Sequence, residues 1–385
     1  MMPIKSTLTQ ELIPMKTKRD GKIEFFRFIF CMAVILFHYD LLFPLNTEKF
    51  GLPFLTSGRL GVEFFFLLSG YFLAAYAYKI NYSYESLSRT TVLYTARKLS
   101  SIIPFHLFLF TLSFVVKSII QSPKSFVDWF NWVLKSIPGF FLTIGTGVPE
   151  IAVLKDEWYI SKMLLMCLIL LPLLLRFRKT FARIVAPVIA IGLIGYMVYT
   201  TTILGGVDTR LFGDLIAKTT VRAFAEMALG IFIFEVVSYL KKCNLMKKHV
   251  RIISTCVEVI LYCSCILIMT ESDTKYEVFF LILMVMALTI TLSGLSYGKT
   301  LFNHSFFYWL GRFSLPLYLS QRVIFTFFKN VDLPGLTSNY IRLPVVLGTI
   351  FILALIAQFL GKFIAKGLRH MFRRILPERD FNAIF

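Results

Sequence analysis

Residues 23–38 read IEFFRFIFCMAVILFH. With its neighbours the apolar run covers about 22–43, the roughly 20 residues that a helix needs to cross a bilayer. Three ionisable residues sit within it: Glu24, Arg27 and His38. Charge inside a spanning helix is costly and is turned toward the bundle interior or a watery cavity. Arg27 and His38 are eleven residues apart, three helical turns, so they share one face and lie roughly 16 Å apart along the axis.

Nine further apolar stretches follow, at about 59–79, 98–120, 157–176, 181–203, 219–240, 250–270, 276–297, 304–327 and 343–366. They predict an all-α polytopic membrane protein, about ten transmembrane helices in one bundle. A tail at 1–21 precedes a membrane domain at 22–366, and a basic tail at 367–385 follows. The aromatic stretch 126–144 is broken by Lys135, Pro138 and Gly139 and reads as interfacial or re-entrant. Composition agrees: 57% of residues are hydrophobic and only 16% charged, too little charge to cover a soluble globule of 385 residues. The net charge of +19 would suggest nucleic acid in a soluble protein. Here basic and balanced loops alternate along the chain, which fits ten spans with both termini in the cytoplasm and no nucleic-acid partner. None of the six cysteines forms a CxxC pair, and the scattered histidines offer no metal constellation.

This topology sorts the intramembrane polar residues into two layers. Arg27, Arg97, Lys98 and Arg312 fall in the inner half. His38, Glu63, Trp158, Ser161, Arg222, Glu226 and Gln321 fall in the outer half. A basic inner vestibule suits a phosphate-rich cytosolic ligand. An outer layer with one His among carboxylates suits general base chemistry, because His titrates near neutrality. Competing readings stand beside these. Arg222 and Glu226, four apart, fit a self-neutralising ion pair as well as a substrate contact. Glu63 fits a helix packing contact, and Trp158 an interfacial anchor.

Six motifs, in order over about residues 20–365, resemble those of the acyltransferase-3 family of integral membrane O-acyltransferases. IEFFRFIFCMAVILFH resembles its opening pattern of an acidic residue, Arg, ten residues and His, here Glu24, Arg27 and His38. GVEFFFLLSGYF resembles its second-helix motif, and ARKLSSIIP its paired-basic motif. EWYISKMLL resembles its tryptophan motif, RAFAEMALG its Arg…Glu…Gly motif, and LGRFSLPLYLSQ its late Gly…Ser…Tyr-Leu motif. Three positions depart from the pattern. Ser101 stands where a further Arg is common, Met163 where Glu is common, and Gln321 where many relatives carry His.

The resemblance implies transfer of an acyl group, most often acetyl, from acyl-coenzyme A to a hydroxyl of a cell-envelope or exported carbohydrate or a lipid-linked glycan. It implies His38 as base and Glu63 or Asp40 as the group that orients its imidazole. The coenzyme phosphates would meet Arg97, Lys98, Arg27 and Arg312, and the acceptor would meet Trp158, Ser161, Arg222, Glu226 and Gln321. The acyl-coenzyme A is a donor substrate, and no metal is implied. The expected location is the bacterial plasma membrane. A transporter or flippase of envelope precursors would share the spans and buried charges, and Gln321 in place of His leaves room for a non-catalytic protein on the same fold.

Overall fold

The computed structural model describes residues 19–45, 55–80, 86–121, 125–144, 153–202, 204, 209–243, 245–271, 276–331, 334–336 and 338–385. Most of the N-terminal tail, and the loop charges Lys49, Lys124 and Glu150 that enter the alternation, lie outside the described residues. Of the described residues 86% are helical, and the one sheet among them is a hairpin of two-residue strands, Arg210–Leu211 and Ile216–Ala217. The fold class is therefore all-α.

Helices fall on every apolar stretch read from the sequence. They are α1 (Gly21–Leu42), α2 (Gly61–Lys79), α3 (Leu87–Gln121), α5 (Trp158–Thr180), α6 (Ala186–Thr201), α7 (Lys218–Lys242), α8 (Lys248–Thr270), α9 (Glu277–Ser293), α11 (Ser305–Asn330) and α12 (Asn339–Ile375). Three more, α4 (Phe126–Phe140), α10 (Lys299–Phe302) and α13 (Glu378–Ile384), complete the set among the described residues. Among the described residues seven helical segments are long and apolar enough to cross a membrane, with α5 and α6 counted together as Trp158–Thr201. That segment is broken at Arg178, whose φ of 30° and ψ of −104° interrupt the helix, and a wide turn at Phe181–Val185 follows. Both halves pack against α7. The apolar α9 falls short at 17 residues.

Two kinds of contact set the bundle. Backbones touch where glycine allows it: a Cβ on Gly70 would collide with the Met227 carbonyl, and one on Gly230 with that of Leu67, so α2 and α7 pack face to face. Buried polar ties fix the ends. At the start of α1, Asp20 caps the helix by accepting from the Lys22 backbone N–H at 2.9 Å. The Lys22 ammonium donates to Glu258 Oε2 on α8 at 2.7 Å, to the Tyr297 carbonyl at 2.7 Å and to the Ser296 hydroxyl at 3.0 Å. At the opposite end, Ser57 donates to the Glu271 carbonyl at 2.6 Å, and Arg59 pairs with Glu277. The far end of α1 is tied to α12 by Tyr39, whose hydroxyl donates to the Asn339 carbonyl at 2.6 Å.

Helix α4 occupies the stretch read as interfacial or re-entrant. It is capped by Ser125, which accepts from Asp128 N–H, and Phe126, Trp129, Phe130 and Leu134 stand exposed along it. Its end is held at the bundle by Phe140, as described next.

Candidate active site

His38, near the end of α1, faces α11 and the lead-in to α5. Its Nδ1 lies 3.2 Å from Gln321 Oε1. A carbonyl oxygen only accepts, so this contact is a hydrogen bond in the form of the imidazole that carries a proton on Nδ1. Nε2 points toward Asp156, whose Oδ1 is 4.0 Å away, beyond hydrogen-bond range. The His38 side chain is 21% exposed and that of Asp156 9%, so the imidazole is the group that an incoming molecule reaches. Asp156 Oδ2, Gln321 Nε2 and the Ser161 hydroxyl are buried without a hydrogen-bond partner among the described residues. Buried polar atoms are rarely left so, and two of these, on Gln321 and Asp156, flank the imidazole, which marks a place for a polar ligand.

Asp156 lies just before α5, outside all six motifs, yet the fold brings it beside His38. Its backbone carbonyl accepts the buried Tyr318 hydroxyl from α11. The adjoining Glu157 is held by His106 on α3, with Nδ1 and Oε1 2.7 Å apart, while His106 Nε2 donates to the Phe140 carbonyl at 2.9 Å. The His106 and Glu157 side chains are each 1% exposed. Two successive carboxylates immediately before Trp158 were the signal available in the sequence.

Neither carboxylate that the resemblance offered as an orienting group touches the imidazole. Asp40 accepts from the Leu45 N–H at 2.9 Å. Glu63 is fully buried on α2 and accepts from Arg222 on α7 at 3.2 Å, while Arg222 Nε donates to Glu226 Oε1 at 2.6 Å. Arg222 and Glu226 thus form a sequestered cluster with Glu63, with no described contact to His38. Trp158 is also buried and packs its ring 6.0 Å from that of Phe66, so it is a core residue rather than a lipid-facing anchor.

The basic residues divide in two. Arg27 and Lys98 are electrostatic neighbours, and Arg27 also acts on Tyr159, whose hydroxyl lies 3.3 Å from that of Ser69. Arg97, exposed, lines a shallow pocket with Ser100, Ser101, Arg369 and Phe385. Arg312 is exposed on α11 and its Nε donates to the Tyr308 carbonyl at 3.3 Å, with no described contact to the other three.

A family model described as an acyltransferase domain matches residues 20–367, nearly the whole chain. The chain belongs to the acyltransferase-3 family. With its apolar helices it is a multi-pass membrane acyltransferase. No curated protein and no solved structure matches it.

Proposed function

We propose that this acyltransferase moves an acyl group, acetyl first among them, from cytosolic acyl-coenzyme A to a hydroxyl of an envelope or exported carbohydrate, free or lipid-linked, with His38 as general base. The protein acts in the plasma membrane of a bacterium as a bundle of ten spans with both termini cytoplasmic. The observation that carries this reading is one face of α1. It presents the Arg27 guanidinium, paired with Glu24 at 3.7 Å and close to Lys98, at one level and, roughly 16 Å along, an imidazole with Nδ1 against Gln321 and Nε2 free of any hydrogen bond among the described residues. Such a face suits a donor whose phosphates stay at the basic level while a flexible arm carries its thioester to the other.

Each residue then has a task. Gln321 accepts from Nδ1 and holds the tautomer in which Nε2 is basic, the same service that carbonyl and carboxylate oxygens give to histidines elsewhere. His38 Nε2 takes the acceptor hydroxyl proton as oxygen attacks the thioester carbonyl. The proton then passes to the departing thiolate. Direct transfer is favoured over an acyl-enzyme on Ser69, because the described partner of Ser69 is the Tyr159 hydroxyl and not a base. Gln321 in place of a family His argues against catalysis only if that position must titrate, and holding Nδ1 does not require it.

The donor site is tested by Arg97→Gln. A charged hydrogen bond to a phosphate is worth roughly 1.5–3 kcal/mol, about 10- to 150-fold in affinity. The KM for acyl-coenzyme A should rise within that range with the KM for the acceptor unchanged, measured on reconstituted protein. An unchanged donor KM with a raised acceptor KM would reverse the assignment of the two layers.

A further inference from the structure

We propose that Asp156 is a second catalytic residue, the carboxylate that balances the charge His38 acquires during transfer. The inference rests on the acyl-transfer reading above and assigns a role to a residue outside all six motifs.

Three observations converge. Asp156 Oδ1 stands 4.0 Å from His38 Nε2, on the side of the ring opposite the nitrogen that Gln321 occupies. A gap of that size is too long for a hydrogen bond and leaves the Nε2 lone pair free for an incoming hydroxyl, with the carboxylate beside it. Asp156 Oδ2 is buried and has no partner among the described residues, an acceptor available to a second hydroxyl of the same ligand. Finally, the residue is fixed from both sides. Tyr318 holds its carbonyl, and His106 holds the next residue, Glu157, with both His106 nitrogens engaged. A carboxylate that served only to fill a loop would not need anchors from α3 and α11.

The step balances without any further reactant. The acceptor oxygen forms a bond to the thioester carbonyl carbon, the hydroxyl proton goes to His38 Nε2, and the carbon–sulfur bond breaks. The proton returns from Nε2 to the thiolate. Between these events the imidazolium is a full positive charge in a site largely closed to water, where an adjacent fixed carboxylate stabilises it far more than it would in solution. Other charges face Asp156 too. Lys117 on α3 lies close enough to interact with it, and Arg322 follows Gln321 on α11. The competing role for Asp156 is neutralisation of Lys117.

Asp156→Asn keeps the shape and removes the charge. Expected is a fall in kcat of roughly 10²–10³-fold with the donor KM unchanged, the size of loss seen when one preorganised electrostatic group is removed from an active site. Asp156→Glu should recover part of it. In a His38→Ala background, Asp156→Asn should add little further loss, since groups acting on one charge are not additive. Residual rates are read with radiolabelled acyl-coenzyme A. Undiminished kcat in Asp156→Asn, or losses that multiply with His38→Ala, overturns the proposal. So does a lower yield of folded protein with kcat of the folded fraction unchanged, which would mean that the carboxylate only neutralises Lys117. An inactive His38→Ala beside a fully active Asp156→Asn overturns the role of Asp156 alone, whereas an active His38→Ala overturns the acyl-transfer reading with it.

Discussion

His38→Ala should abolish acyl transfer in a protein that still inserts and folds. His38 is partly exposed at the end of α1, so truncation opens little core. Its described partners are Gln321 Oε1 at 3.2 Å and Asp156 Oδ1 at 4.0 Å, so the variant costs one hydrogen bond and breaks no close ion pair. Chemistry suffers instead. A positioned general base contributes about 10²–10⁴ in rate, and among the described residues no other imidazole faces the cluster: both nitrogens of His106 are occupied. The loss should fall on kcat, with donor affinity retained because the basic residues are elsewhere. Comparison with His38→Gln, which keeps a polar group against Gln321, separates packing from basicity: both variants should be inactive.

Arg222→Met should have the opposite character, losing stability first. Arg222 is 4% exposed and lies between two buried carboxylates, Glu63 at 3.2 Å and Glu226 at 2.6 Å. The pair Arg59–Glu277 adds more charge to the same end of the bundle. Removing one member of a buried ionic cluster leaves uncompensated charge and costs about 3–5 kcal/mol, more than replacing the cluster as a whole would. Thermal unfolding in detergent should shift down strongly, and the triple change Glu63→Gln, Arg222→Met, Glu226→Gln should recover much of the loss. A substrate-binding role for Arg222 and Glu226 predicts something else: unaltered unfolding with a raised acceptor KM.

The first helix was the most legible part of the chain because its message is local. Eleven residues of helix put Arg27 and His38 on one face whatever surrounds them. Alternating spans assign each residue a depth, and Glu63, Arg222 and Glu226, read at one depth, meet in the structure. Depth does not say which residues at one level face each other. That depends on which helices are neighbours, and α1 lies between α2 and α11 while α2 packs on α7. The carboxylate of Glu63 therefore turns to Arg222 rather than to His38. Gln321, 283 residues from His38, could be recognised as a departure from a motif but not as the group that fixes its tautomer. Asp156 was hidden by its surroundings. It precedes α5 by two residues, outside all six motifs, and the anchors from Tyr318 and His106 make it part of the bundle.

The central claim is tested most directly by purified protein in liposomes, given acetyl-coenzyme A and an envelope glycan, with free coenzyme A thiol and labelled glycan followed together. The account predicts thiol release that requires the acceptor, matches the acyl groups gained by the glycan, and is absent from His38→Ala. Movement of glycan across the bilayer with no thiol released, or equal turnover by His38→Ala, would contradict it.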